Sequence, residues 1–117
     1  MLGKHIILDL YDCDRKLLDD VEFCKYILTE AANAADCKIL NTYFHKFEPQ
    51  GLTGIIAVCE SHFSIHTYPE HGYAAIDVFC CKDKLGASVD LLKTAFKSKK
   101  SQINEIARGE EDYISQT

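Results

Sequence analysis

Between Lys38 and Cys81 the chain offers one strand-like stretch after another, separated only by short turns. Lys38 to Phe47 reads as a strand, and Glu48-Pro49-Gln50-Gly51 has the composition of a turn. Gly54 to Thr67 is strand-like again, Pro69 to Gly72 breaks it, and Tyr73 to Cys81 is a further apolar strand. Parallel neighbours need a crossover of a dozen or more residues, and these turns are far shorter. The segment is therefore expected to fold as consecutive antiparallel strands.

Helices can come only from the flanks. His5 to Tyr11 alternates loosely and reads as a strand, with Asp12 and Asp14 marking a turn. Leu17, Leu18, Val21, Ile27, Leu28 and Ala31 then recur near helical spacing, behind the acidic residues Asp19, Asp20 and Glu22, predicting an amphipathic helix that ends near Ala35. Ser88 is the expected N-cap of a second helix, from Val89 to about Lys99, and Gln102 to Ala107 could add a strand. The expected fold class is α+β, a two-layer α/β sandwich whose antiparallel sheet is covered on one face by two helices. The other face is left for a second subunit, giving a four-layer αββα dimer. A chain of 117 residues fits one domain, 1–117, and can hardly enclose a deep pocket alone. A site shared across a dimer would relieve that limit.

Charge and cysteine pattern narrow the function classes. The formal net charge is −5, so the basic footprint of a nucleic-acid binder is missing. The first apolar run meets Asp9 too early for a signal peptide, and no apolar stretch approaches bilayer-spanning length. The expectation is a cytoplasmic protein with neither nucleic acid nor membrane as partner. The six cysteines form no CxxC pair, so no metal is expected from them, and most read as small buried groups in a reducing compartment.

Eleven residues, Glu60-Ser61-His62-Phe63-Ser64-Ile65-His66-Thr67-Tyr68-Pro69-Glu70, concentrate hydroxyl, imidazole and carboxylate groups. In an extended chain His62, Ser64 and His66 share one face, and Ser61, Phe63, Ile65 and Thr67 the other. Taken alone, the residues admit a solvated polar edge strand. They also admit a metal site from His62, His66 and His71, although no third ligand has diagnostic spacing. A serine hydrolase is a third reading, weakened by the missing Gly-x-Ser-x-Gly.

The same run, followed by Gly72-Tyr73-Ala74-Ala75-Ile76-Asp77-Val78-Phe79, resembles the prokaryotic S-adenosylmethionine decarboxylase proenzymes. The likeness extends upstream through Gly51-Leu52-Thr53-Gly54, Phe44-His45-Lys46-Phe47, Tyr11-Asp12-Cys13-Asp14 and Gly3-Lys4-His5, and thins after Lys99. It covers the reacting residues and most of the chain, which makes it far more specific than a short motif.

The resemblance implies a chain that cuts itself between Glu60 and Ser61, giving residues 1–60 and 61–117. Ser61 would attack the carbonyl of Glu60, become an ester, and lose it by elimination to leave a pyruvoyl group. It assigns the proton acceptor of that elimination to His66, a residue type that titrates near neutrality. Thr53 falls where the family usually has a serine that assists processing. The pyruvoyl group is the implied cofactor: it would form a Schiff base with a substrate amine and take up the electron pair released with carbon dioxide. Cys81 is the implied proton donor of that decarboxylation, with Cys80 pointing to the opposite face.

For the substrate, the resemblance matches Phe47 to an aromatic that stacks on adenine, and Glu70 to a nearby acid. Tyr68 stands where tryptophan is usual. The expected reaction is decarboxylation of S-adenosylmethionine, supplying an aminopropyl donor for spermidine and other polyamines. The same machinery acting on arginine or ornithine is the alternative. The expected partners are a small-molecule substrate and a second copy of the processed chain.

Overall fold

The computed structural model describes residues 2–82 and 85–114. Six strands form one antiparallel sheet: β1 (Gly3–Tyr11), β2 (Lys38–Lys46), β3 (Leu52–Cys59), β4 (Ser61–Tyr68), β5 (Tyr73–Cys80) and β6 (Lys100–Arg108). Their spatial order is β2-β3-β4-β5-β1-β6. The meander β2 to β5 is what short turns dictate. β1 then pairs with β5, and β6 adds an edge beyond β1.

Among the described residues three α-helices, not two, cover one face: α1 (Arg15–Leu18), α2 (Val21–Ala34) and α3 (Leu85–Ala95). The expected first helix is split because each piece has its own aspartate cap. Asp14 accepts from the amides of Lys16 and Leu17, and Asp20 from that of Phe23 at 3.0 Å. The last helix starts at Leu85, so Ser88 is not its N-cap. Its buried hydroxyl donates to the Ala31 carbonyl at 2.6 Å, joining α3 to α2.

The strand expected from Gly54 to Thr67 is two strands, β3 and β4, folded back at Glu60. Alternation then sorts the side chains. Ile56, Val58, Phe63, Ile65, Ile76 and Val78 are buried against Leu28, Ala31, Leu92 and Phe96 of the helical layer. The opposite face carries His5, Ile7 and Asp9 of β1, Ile55 of β3, His62, Ser64 and His66 of β4, and Asp77 of β5, and no described helix covers it. Among the described residues no helix is long and apolar enough to cross a membrane.

Candidate active site

The residues singled out in the sequence gather at the two ends of β4 and not at one point. Ser61 opens the strand and Tyr68 closes it. At about 3.3 Å per residue, Ser61 and His66 are roughly 16 Å apart along one chain.

At the first end, Glu60, Ser61 and Cys81 line a cavity of about 410 Å³ together with Gly3 and Phe79. The sheet explains the meeting. β4 and β5 pair His62 with Phe79, so the start of one lies beside the end of the other. Ser61 follows the hairpin turn with φ 113°, a left-handed conformation that costs a non-glycine residue of order 1–3 kcal/mol. Cys81 is exposed, whereas Cys80 is buried with its Sγ 3.0 Å from that of Cys37, as alternation requires. Burial pushes the Cys37 thiol up to about 12. Cys13 and Cys24 are likewise buried thiols, so Cys81 and Cys59 are the two exposed ones.

At the second end, Phe47, Thr53, His66, Tyr68 and Glu70 line a cavity of about 190 Å³. Thr53 faces His66 across the β3–β4 ladder, its Oγ1 2.9 Å from Nδ1. The tautomer that donates from Nδ1 leaves Nε2 with the free lone pair a general base needs. Phe47 sits on a turn held from below by Asp19, which accepts from Gly51 N at 2.8 Å and pairs with Lys46 Nζ at 2.9 Å. The Gly51 hydrogen bond first, and Lys46 second, hold the Asp19 carboxyl below the usual range. Gly51 has φ +94°, which suits glycine. Tyr68 stacks on Tyr73 at 5.6 Å, and the Tyr73 hydroxyl donates to Asp9 at 2.5 Å.

A trough of about 530 Å³ lies on the open sheet face between the two ends, lined by His5, Ile55, His62, Ser64, His66 and Asp77 among others. The histidine set considered for a metal does not assemble there, since His71 lies off the sheet in the turn Pro69–His71. The ligand-type groups that do meet are His5, His62 and Asp77. Neither His5 nor Asp77 was singled out from the sequence. The available signal was a carboxylate in the middle of the apolar strand Tyr73 to Cys81, where burial demands partners.

The chain matches the family model described as S-adenosylmethionine decarboxylase over residues 4–109, past the point where the likeness was expected to thin. It is 40% identical over 115 residues to the S-adenosylmethionine decarboxylase proenzyme of Fervidobacterium nodosum, covering 97% of this chain and 84% of that one. The proenzyme of the same name from Caldanaerobacter subterraneus subsp. tengcongensis is 42% identical over 110 residues, covering 92% and 89%. In fold, the chain is similar to the crystal structure of the adenosylmethionine decarboxylase from Aquifex aeolicus. The TM-score is 0.89 at 35% identity, over 99% of this chain and 98% of that one. Fold and likeness together define a carboxy-lyase. The chain belongs to the S-adenosylmethionine decarboxylase family.

Proposed function

We propose that the chain is a proenzyme that cuts its own Glu60–Ser61 bond and then, with the pyruvoyl group so made, decarboxylates S-adenosylmethionine. The observation that carries this reading is the shared cavity of Ser61 and Cys81, two residues brought together only by strand pairing. The residues present fit the group. Ser61 stands at an exposed turn in a strained conformation, its neighbour Glu60 is exposed, and a thiol lines the same cavity.

Ser61 Oγ attacks the Glu60 carbonyl, the C–N bond breaks, and the acyl group moves from nitrogen to oxygen. A base removes the Ser61 Cα proton, and the Glu60 carboxylate leaves with the β-oxygen. The resulting dehydroalanine takes up water and loses ammonia. A pyruvoyl group supplies an electron sink for the bond pair left behind by carbon dioxide. Cys81 S–H, which lines the same cavity as Ser61, is the proton donor.

His66 cannot be that base within its own chain, being roughly 16 Å along the strand. A second copy resolves this. A two-fold axis lying between two facing sheets, perpendicular to the strands, brings the Ser61 end of one copy against the His66 end of the other. The exposed side chains of Ile7, Tyr43, Ile55 and Ile106 lie on that open face and support such a contact. The assembled site would join Ser61 and Cys81 from one protomer to Thr53, His66, Phe47, Tyr68 and Glu70 from its partner. Co-expression tests this directly. Neither Ser61→Ala nor His66→Ala alone should yield cut chains. Together they should yield cut chains, and every cut chain should carry the His66→Ala substitution. Light scattering of the wild-type protein should give a dimer at micromolar concentration.

Phe47 and Tyr68 offer aromatic faces to a purine or a sulfonium, and Glu70 offers a charge complementary to a cation. The matched relatives are named for S-adenosylmethionine, and the arginine or ornithine alternative gains no support from them. Measured side by side, carbon dioxide release should be substantial from S-adenosylmethionine and at background from arginine and ornithine. The reverse order would sink the substrate reading. The product would serve as an aminopropyl donor for polyamines such as spermidine, and six free thiols suit a reducing cytoplasm.

A further inference from the structure

We infer that Asp77, acting through His5 and His62, is a positioning residue that fixes the wall of the cavity holding Ser61 and Cys81. This rests on the reading of that cavity as the site of self-cleavage.

Asp77 sits on β5, with β4 and β1 on either side. Its Oδ2 is 2.8 Å from His5 Nε2 on β1 and 3.2 Å from His62 Nε2 on β4, and the Ser64 hydroxyl donates to its Oδ1. Burial works to raise the Asp77 carboxyl, but hydrogen bonds from Ser64, His5 and His62 outweigh it and hold the group below the usual range. One carboxylate thus ties together the three strands whose ends make the cavity. Gly3 comes from β1, Ser61 from β4, and Phe79 with Cys81 from β5 and just beyond. His62 is the residue next to Ser61.

The hydrogen bonds also cage one ring. Phe79 stacks on His5 at 5.4 Å, meets the edge of His62 at 6.1 Å, and lies under the Arg108 guanidinium at 5.0 Å. A Cβ on Gly3 would come within 2.6 Å of the ring, so glycine is what lets β1 close over it. Phe79 itself lines the cavity beside Ser61 and Cys81.

A metal ion is the competing use of His5, His62 and Asp77. Arg108 decides against it. Its Nη1 lies 3.0 Å from His5 Nδ1, and a guanidinium can only donate. His5 therefore accepts at Nδ1 and carries its proton on Nε2, aimed at Asp77. An imidazole bound to metal through Nε2 would need its proton on Nδ1, facing the Arg108 donor.

Self-cleavage needs Ser61 Oγ aligned on a carbonyl, and a misplacement of about 1 Å can cost about 10²-fold. The test follows the appearance of cut chains by intact mass in wild type, Asp77→Asn, His62→Phe, His62→Gln and the double variant Asp77→Asn/His62→Phe. Unfolding is compared with each substitution made in a Ser61→Ala background, where no cut intervenes. Asp77→Asn and His62→Phe should each slow cleavage at least tenfold. His62→Gln, which keeps a donor, should cleave at least tenfold faster than His62→Phe. The double variant should be no slower than the slower single one, because both remove the same contact. If Asp77→Asn does not fold, the two His62 variants still decide. Cleavage of Asp77→Asn within twofold of wild type overturns the inference, as does His62→Gln as slow as His62→Phe. A wild-type chain that never cuts is a different failure, and it overturns the reading of the cavity itself.

Discussion

Ser61→Ala is expected to remain a single chain of 117 residues, while the wild type separates into chains of 60 and 57 (117 − 60 = 57) residues. The effect is all or none because the β-oxygen of Ser61 is both the nucleophile and the leaving group, and alanine supplies neither. The second wild-type chain should resist N-terminal sequencing, since a pyruvoyl end has no amine. His66→Ala should fail at a later step. It keeps Ser61, so the ester can form and wait, and hydroxylamine should then release the first chain as a hydroxamate. Hydroxylamine should do nothing to Ser61→Ala. A wild-type protein that stays whole after long incubation would remove the cleavage, and with it the pyruvoyl chemistry.

The proposed point of cleavage is also where the sequence is hardest to read. Gly54 to Thr67 looked like one strand because the turn between β3 and β4 contains no glycine, proline or asparagine to announce it. Ser61 takes a backbone conformation that a turn glycine would adopt without cost. Local propensity and tertiary structure disagree there, as they tend to where function imposes a residue. Elsewhere alternation carried the fold well. His62, Ser64 and His66 lie on the open face and Phe63, Ile65 and Thr67 are buried, because a period of two leaves no other choice once one side is covered. The helix boundaries were less legible. Asp14 and Asp20 both cap, and two caps six residues apart look the same in sequence as acidic residues within one amphipathic helix.

For the site, residue types were legible and distances were not. Ser61 and His66 stand close in the chain, but an extended strand turns that separation into length. Ser61 and Cys81 stand far apart in the chain, and a hairpin brings them together. The His5–Asp77–His62 cluster was hidden for a related reason. Its members come from three strands, and only the register His5↔Phe79↔His62 shows that they converge. The proposed second protomer draws its support from the apolar side chains left on the open face, of which Ile55 at 45% exposed is one.

Cys81→Ala separates the single act of processing from repeated turnover. Cys81 lines the cavity of Ser61, but the proposed attack on Glu60 needs no group from it, so the variant should still cut, in part or in full. Its turnover should fall by roughly 10²–10⁴-fold, the usual worth of a positioned general acid. The failure should also have a direction. Without the Cys81 thiol, a proton would reach the pyruvoyl-derived carbon instead of the substrate carbon. Hydrolysis of the imine would then leave the substrate nitrogen on the chain as alanine and release the rest of the decarboxylated substrate as an aldehyde. The small chain of Cys81→Ala should therefore regain an amine and become open to N-terminal sequencing as turnover proceeds, while wild type stays blocked. Cys80 provides the contrast: it is buried against Cys37, and its conversion to alanine should cost packing but leave the proton on the right carbon. A Cys81→Ala protein that decarboxylates at the wild-type rate would return Cys81 to the status of an exposed thiol that happens to lie beside Ser61.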